Sequence, residues 1–366
     1  MRILSLNLEH FRSYADQALS LGMEDVQLFV GPNGSGKTNL LEAVSLLSLC
    51  KSCRNKEDSD MVQWEAHHYR IRADVQNDAG ERFQVEAVTE LSPRRRKAFF
   101  KNGVRVPIAS IIGFLPTVIF LPQDLELFSG APSERRRFLD QLLCQLSPEY
   151  FLQLTAYQKV MKQRNALLKR IAAGTDALSS LAVWDAELAE KGSGISLMRL
   201  ELIEMLNLSF AEELSTLQER WKDVEITYMR MTKGSTREAL REEFLGLLLC
   251  NRERDVLLQS TTVGPHREDW QVVTEGRELP SFASRGQERI AVLALLLLEV
   301  SYLELRLGEK PVVLLDDVFS ELDDAHQEAL LGRLKGFQVL MTSTRIPPHA
   351  QEAALFRVSL GDVTRA

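Results

Sequence analysis

Apolar residues recur along this chain at two spacings, and the changes from one spacing to the other divide it. The run Val26-Gln27-Leu28-Phe29-Val30 predicts a short buried strand. The following stretch, Asn39 to Leu47, predicts an amphipathic helix. Tyr69–Val75 and Arg82–Val88 alternate apolar and polar positions, as strands do. Between later strands, Lys101-Asn102-Gly103-Val104 has the residues of a tight hairpin turn. From Ser133 to about Arg220 the spacing becomes helical, with Gly174 and Gly192 as the obvious breaks. Glu225–Ser281 returns to a mixture of strand and helix. Glu288–Val300 is strongly helical, and Val312–Leu315 is a fully apolar strand.

This order predicts an α/β fold with a split head. Residues 1–130 and 284–366 form the head, a parallel core beside an antiparallel sheet. Residues 133–220 form an inserted helical arm, and part of 225–283 packs on the head. No internal repeat or low-complexity tract interrupts it.

The candidate chemistry lies at both ends of the split. Gly31-Pro32-Asn33-Gly34-Ser35-Gly36-Lys37-Thr38 fits a phosphate-binding loop and stands between the first strand and its helix. Its glycines let successive N–H groups face phosphate oxygens, and the helix N-terminus adds a favourable field. Lys37 then reaches the β- and γ-phosphates of ATP, and the Thr38 hydroxyl ligates Mg2+. Asp316 and Asp317 end the late apolar strand, at the carboxyl edge where such sheets bind ligands. Asp316 is the expected Mg2+ holder, and Asp317 positions or polarises the attacking water. Ser284-Arg285-Gly286-Gln287 opens the late helix; a serine hydroxyl and a glycine amide there form an anion site or an ordinary helix cap.

Together these residues resemble the ABC-type ATPases that act on DNA, and within them the RecF family. Phe11-Arg12-Ser13-Tyr14 is similar to that family's amino-terminal element. Gly130 to Asp140 resembles its Gly-x-Pro…Arg-Arg-x-Phe-Leu-Asp stretch, and Lys162 to Leu168 and Trp184 to Leu188 are similar to its helical-arm markers. Thr261 to Asp269 is the most specific match, and its residues leave open a DNA contact, a cross-subunit contact or a structural cluster. Two departures stand out: His10 replaces an expected Asn, and Gln123 lies where an acidic residue is usual. Thr342-Ser343-Thr344 carries no His, so the γ-phosphate sensor common in transporters is missing, as the resemblance implies. Gln123 is a second candidate for sensing the metal. The wider class usually has Glu where Asp317 stands, so a side chain one methylene shorter implies slow hydrolysis.

Composition adds limits. In 366 residues, 45% hydrophobic and 26% charged, there is room for a large core and usually two domains. No apolar run reaches a membrane span and no signal peptide opens the chain, which suits a cytoplasmic protein. Four cysteines suit a reducing compartment; Cys50 and Cys53 have redox or zinc spacing without the rest of a site. The net charge of −7 does not attract a polyanion as a whole. Ser92–Arg105 nevertheless holds six basic residues and no acidic one. Arg94, Arg95, Lys101 and Arg105, with Lys51 and Arg54, are the candidate DNA contacts. Arg136, one helical turn before Asp140, is expected to pair with it.

The resemblance implies the rest. Arg12 joins the loop residues, Ser284, Gly286 and Gln287 in the nucleotide site. Ser284 and Gly286 contact the γ-phosphate held by a second subunit, so ATP joins a homodimer. The implied function is recombinational gap repair at gapped or single-strand–double-strand junction DNA, helping RecA loading with RecR and RecO. Replication restart, SOS induction, nucleoid association and weak DNA-stimulated ATP hydrolysis belong to the same expectation. A chromosome-tethering ATPase is disfavoured by the short arm, and a transporter subunit by the missing switch His.

Overall fold

The computed structural model describes residues 1–54, 57–217, 219, 221–348, 350 and 352–366. Residue 220, the expected end of the arm, lies outside them. The chain opens with β1 (Arg2–Phe11), β2 (Tyr14–Ser20), β3 (Val26–Val30), α1 (Lys37–Leu49) and the single turn α2 (Asp58–Met61). Then come β4 (His68–Gln76), β5 (Arg82–Glu90), β6 (Arg96–Lys101), β7 (Val104–Val106) and β8 (Thr117–Phe120). The helical stretch holds α3 (Pro132–Leu146), α4 (Pro148–Ala172), α5 (Ala182–Asn207) and α6 (Phe210–Thr216). It is followed by β9 (Glu225–Met229), α7 (Arg237–Cys250), α8 (Arg252–Leu258), β10 (Asp269–Thr274) and β11 (Arg277–Glu278). Last are α9 (Arg285–Leu307), β12 (Val312–Asp316), α10 (Asp324–Arg333), β13 (Val339–Ser343), β14 (Ala354–Ser359) and β15 (Asp362–Arg365).

Two compact units emerge. The first joins Met1–Leu125, Glu213–Glu219 and Arg289–Ala366; the second joins Glu126–Glu212 and Arg220–Glu288. Residues 225–283 fall within the second unit. Their sheet, β11-β10-β9, belongs with the helices of the second unit. Trp270 on β10, fully buried, explains the grouping: it packs against Phe128 and Phe138 and donates to the Arg135 carbonyl of α3.

The first unit is a two-sheet body. One sheet runs β15-β14-β3-β13-β12-β8, parallel except for the edge strand β15. Every residue of β12 and β13 is buried, as central parallel strands require. The other sheet runs β2-β1-β4-β5-β6-β7 and is antiparallel, with alternating burial along β4 and β5. The β6–β7 turn has Asn102 at φ 50° and Gly103 at φ 76°, the left-handed pair that suits the twist of a two-residue hairpin.

Helix α1 departs from its sequence pattern. It is buried almost all round, because β4 and β5 of one sheet and β8, β12 and β13 of the other all pack on it. Its polar Ser48 is satisfied inside this sandwich by Thr117 at 2.6 Å. Local periodicity reads one covered face; two covering sheets leave no solvent face to read.

Candidate nucleotide site

The phosphate loop leaves β3 and enters α1 through residues whose backbones turn left-handed. Gly34 has φ 80° and Gly36 φ 110°. At Gly36 a Cβ would stand 2.8 Å from the Ser13 hydroxyl and 2.9 Å from that of Tyr14, so only glycine fits. Tyr14 fixes the turn by donating to the Gly36 carbonyl at 3.0 Å.

A cleft of about 370 Å³ opens above the loop, lined by Asn33, Gly34, Gly36, Lys37, Thr38, Asn39, Arg54, Pro122, Asp316 and Asp317. The two distant sequence elements therefore meet here. The Thr38 hydroxyl donates to Asp316, lying 3.0 and 2.9 Å from its two carboxylate oxygens. Thr342, from β13, donates to the same carboxylate at 2.6 Å and accepts from the Asp317 N–H at 3.0 Å. Thr342 thus holds the Asp316 carboxylate and the Asp317 backbone, a role the bare sequence did not indicate.

Lys37 donates to the carbonyls of Gly31 and Pro32 at 2.8 and 2.9 Å. Burial lowers its pKa, against the raising charges of Asp317 and Asp316. Burial, and then the charge of Asp316, raise the pKa of Asp317. Asp317 sits at φ 50°, and its Oδ1 is buried without a hydrogen-bond partner. The Ser35 Oγ is likewise buried and unpartnered. Unsatisfied buried polar atoms are costly, and Asp317 lines the cleft, where water would satisfy its oxygen. The residues present therefore fit a nucleotide with Mg2+, which Thr38 and Asp316 would hold.

Other candidates are placed differently. Arg12 grips the buried Glu42 of α1 at 2.8 and 2.9 Å and the Asp60 carbonyl at 2.6 Å, so its fork is filled by protein. Glu42 also accepts from Ser52, and neither residue was singled out from sequence. Gln123 is exposed and does not line the cleft, where its neighbour Pro122 does. Arg54 does line it and reaches Asn39 at 3.5 Å, apart from the role assigned to it with DNA. Ser284 caps α9: its Oγ accepts from Gln287 N–H at 3.3 Å, and Gln287 reciprocates to Ser284 N–H at 3.0 Å. Ser284 and Gly286 are exposed and belong to the second unit.

The basic hairpin is uneven. Arg94, Arg96, Arg105 and Lys51 are exposed, and Lys51 has interactions of its own. Arg95 pairs with Glu57 and Asp58, and Lys97 with Asp58. Lys101 lies over Phe114 and Phe83, 3.6 and 5.0 Å from the ring centroids, and burial lowers its pKa. Cys50 and Cys53 are buried, which pushes both thiols up to about 12 and keeps them from the reactive thiolate form.

Thr261 to Asp269 is tied into the second unit by hydrogen bonds. Thr261 receives Arg164 and binds Asn165, and His266 joins Tyr157 at 2.6 Å and the Thr261 carbonyl at 3.0 Å. Arg199 donates to Pro265, and Asp269 takes Arg135. The expected Arg136–Asp140 pair is corrected: Arg136 donates to the Glu268 carbonyl, while Arg199 occupies Asp140 at 2.8 Å.

Comparisons with known proteins agree on one family. The model of the RecF/RecN/SMC N terminal domain matches residues 2–363. The DNA replication and repair protein RecF of Heliobacterium modesticaldum is 35% identical, with 100% of both chains covered. That of an Exiguobacterium species is 33% identical, with 99% of each covered. A solved structure of the recombination mediator protein RecF with ATP, described in the RecFOR pathway, superposes with a TM-score of 0.91. It is 33% identical, covering 100% of this chain and 97% of that one. An Smc head bound to part of ScpA, at 15% identity and a TM-score of 0.55, shares the fold. No helix among the described residues is long and apolar enough to cross a membrane.

Proposed function

The chain belongs to the RecF/RecN/SMC N-terminal domain family, among its RecF proteins; from that premise we propose that it is an ATP-dependent DNA-binding switch of recombinational gap repair. The observation that carries this reading is the meeting of Thr38 and Asp316 beneath a phosphate loop, beside an Asp317 oxygen with no hydrogen-bond partner among the described residues. Lys37 exchanges its loop carbonyls for the β- and γ-phosphates. Thr38 and Asp316 hold Mg2+, which supplies charge neutralisation on the phosphates. Asp316 is oriented by Thr342, and Asp317 holds the attacking water at its Oδ1. Ser284 and Gly286 serve the nucleotide of a second copy, so ATP favours the dimer only as far as it binds the dimer better. The dimer holds gapped or junction DNA, works with RecR and RecO, and promotes RecA loading; slow hydrolysis resets it. Replication restart and SOS induction follow from the same loading step.

Anisotropy of a labelled gapped duplex tests this. With ATP and Mg2+ the chain should bind it tightly, and omission of ATP or Lys37→Met should weaken binding strongly. Equal binding in all three conditions overturns the reading.

A further inference from the structure

Away from the nucleotide cleft, Glu9, His10 and His68 converge. One ligand atom from each lies within 4.8 Å of the others, the only such group of three found among the described residues. Neighbouring residues of a strand point to opposite faces, yet Glu9 and His10 share this cluster. The reason is His10, at φ 51° near the end of β1, which breaks the alternation. The kink is held from outside: Gln63 N–H donates to the His10 carbonyl and Arg12 N–H to that of Met61, each at 2.8 Å.

The side chains are arranged as ligands. The Gln63 Oε1 lies 3.2 Å from His10 Nδ1, so Nδ1–H donates there and the lone pair is on Nε2. His68 Nε2 stands 3.0 Å from Glu9 Oε1, and the two imidazoles meet edge to face at 5.1 Å. We propose that Glu9, His10 and His68 bind a divalent transition ion of the zinc class, which displaces the proton between His68 and Glu9. Two imidazoles and one carboxylate suit zinc and leave a fourth position to water. Magnesium, which prefers an all-oxygen octahedron, is a poor fit. Arg70 lies 3.7 Å from the other Glu9 oxygen, but it also has Glu86 at 3.5 Å as an alternative partner. Glu9 and His68 are about two-fifths exposed, so an ion reaches them from solvent. The ion would pin the turn that leads directly into Arg12 and its pair with Glu42.

The test titrates Zn2+ and, separately, Co2+ into the nucleotide-free full chain carrying Cys250→Ser, which removes an exposed thiol. Calorimetry, cobalt absorption and the thermal unfolding midpoint are read together. The expected result is one ion per chain, with Zn2+ raising the midpoint and excess Mg2+ not competing. His10→Asn and His68→Gln should each weaken binding at least about tenfold and abolish the midpoint shift. Asn tolerates the left-handed conformation, so His10→Asn should fold, as circular dichroism will show. No binding at micromolar Zn2+, or equal binding by both variants, overturns the proposal.

Discussion

The buried charge network of the second unit and the nucleotide cleft of the first are completed in opposite ways. In the second, Arg164, Asp185 and Asp255 are fully buried and joined at 2.8 and 2.6 Å, and Arg252 adds a second cation to Asp185. Arg199 has Asp140, Tyr150 and the Pro265 carbonyl. Even there Arg164 Nη2 and Glu268 Oε1 lack partners, but each buried cation is anchored by several protein groups. In the first unit's cleft, Lys37 donates to two carbonyls of its own loop, and Asp317 Oδ1 has no hydrogen-bond partner among the described residues. A charge cluster closed by protein holds a fold; one left incomplete by protein is available to a ligand.

The largest way to break this contrast is Arg164→Ala. It takes one of two cations from Asp185 and leaves the buried Asp255 with Thr262 as its hydrogen-bond partner, so it should cost about 3–5 kcal/mol in urea unfolding, whereas a loss under about 1 kcal/mol would remove the network from its structural role. Lys37→Met should do the reverse, lowering ATP affinity at least about a hundredfold, about 2.8 kcal/mol, with the unfolding midpoint scarcely moved. Calorimetric titration reads the first and urea unfolding the second.

Glu299 sharpens the contrast inside the first unit. Burial, then the charge of Asp124, raises its pKa from 4.5 to about 8. The folded chain keeps a proton that the unfolded chain releases. Its contribution is therefore fully present below pH 4.5 and lost as pH rises toward 8. The slope is at most about 1.4 kcal/mol per pH unit. Glu299→Gln should flatten that fall, read as unfolding midpoints across the window; an unchanged profile would show that Glu299 is not its source. The smallest effect belongs to the hairpin. Arg94→Glu with Arg105→Glu should weaken binding to gapped duplex and lower the salt slope by about one for each phosphate no longer neutralised. Arg95→Ala should do less, since Glu57 and Asp58 already neutralise it.

The sequence made the cleft legible because the phosphate loop is contiguous and Asp316–Asp317 ends an unmistakably buried strand. The hairpin was legible for the same local reason, through Asn102 and Gly103. What escaped depends on partners remote in the chain. Arg12 was assigned to nucleotide, but its fork closes on Glu42, a helical residue whose burial comes from two sheets that local periodicity does not register. Thr342 drew notice for the absence of a His nearby, while its own hydroxyl holds Asp316. Residues 225–283 carried strand signals that suited either unit, and Trp270 with Arg135 decides between them.

Ser284 connects the incomplete cleft to its proposed completion. It is exposed, it caps α9, and in this account it serves the nucleotide of a second copy. Sedimentation velocity of the wild-type chain and Ser284→Arg, each with and without ATP and Mg2+, tests that most directly. The wild-type chain should be a monomer without nucleotide and a dimer with ATP, and the variant should bind ATP normally yet stay monomeric. A wild-type chain that remains monomeric with ATP bound, or a variant that dimerises as readily, would contradict it.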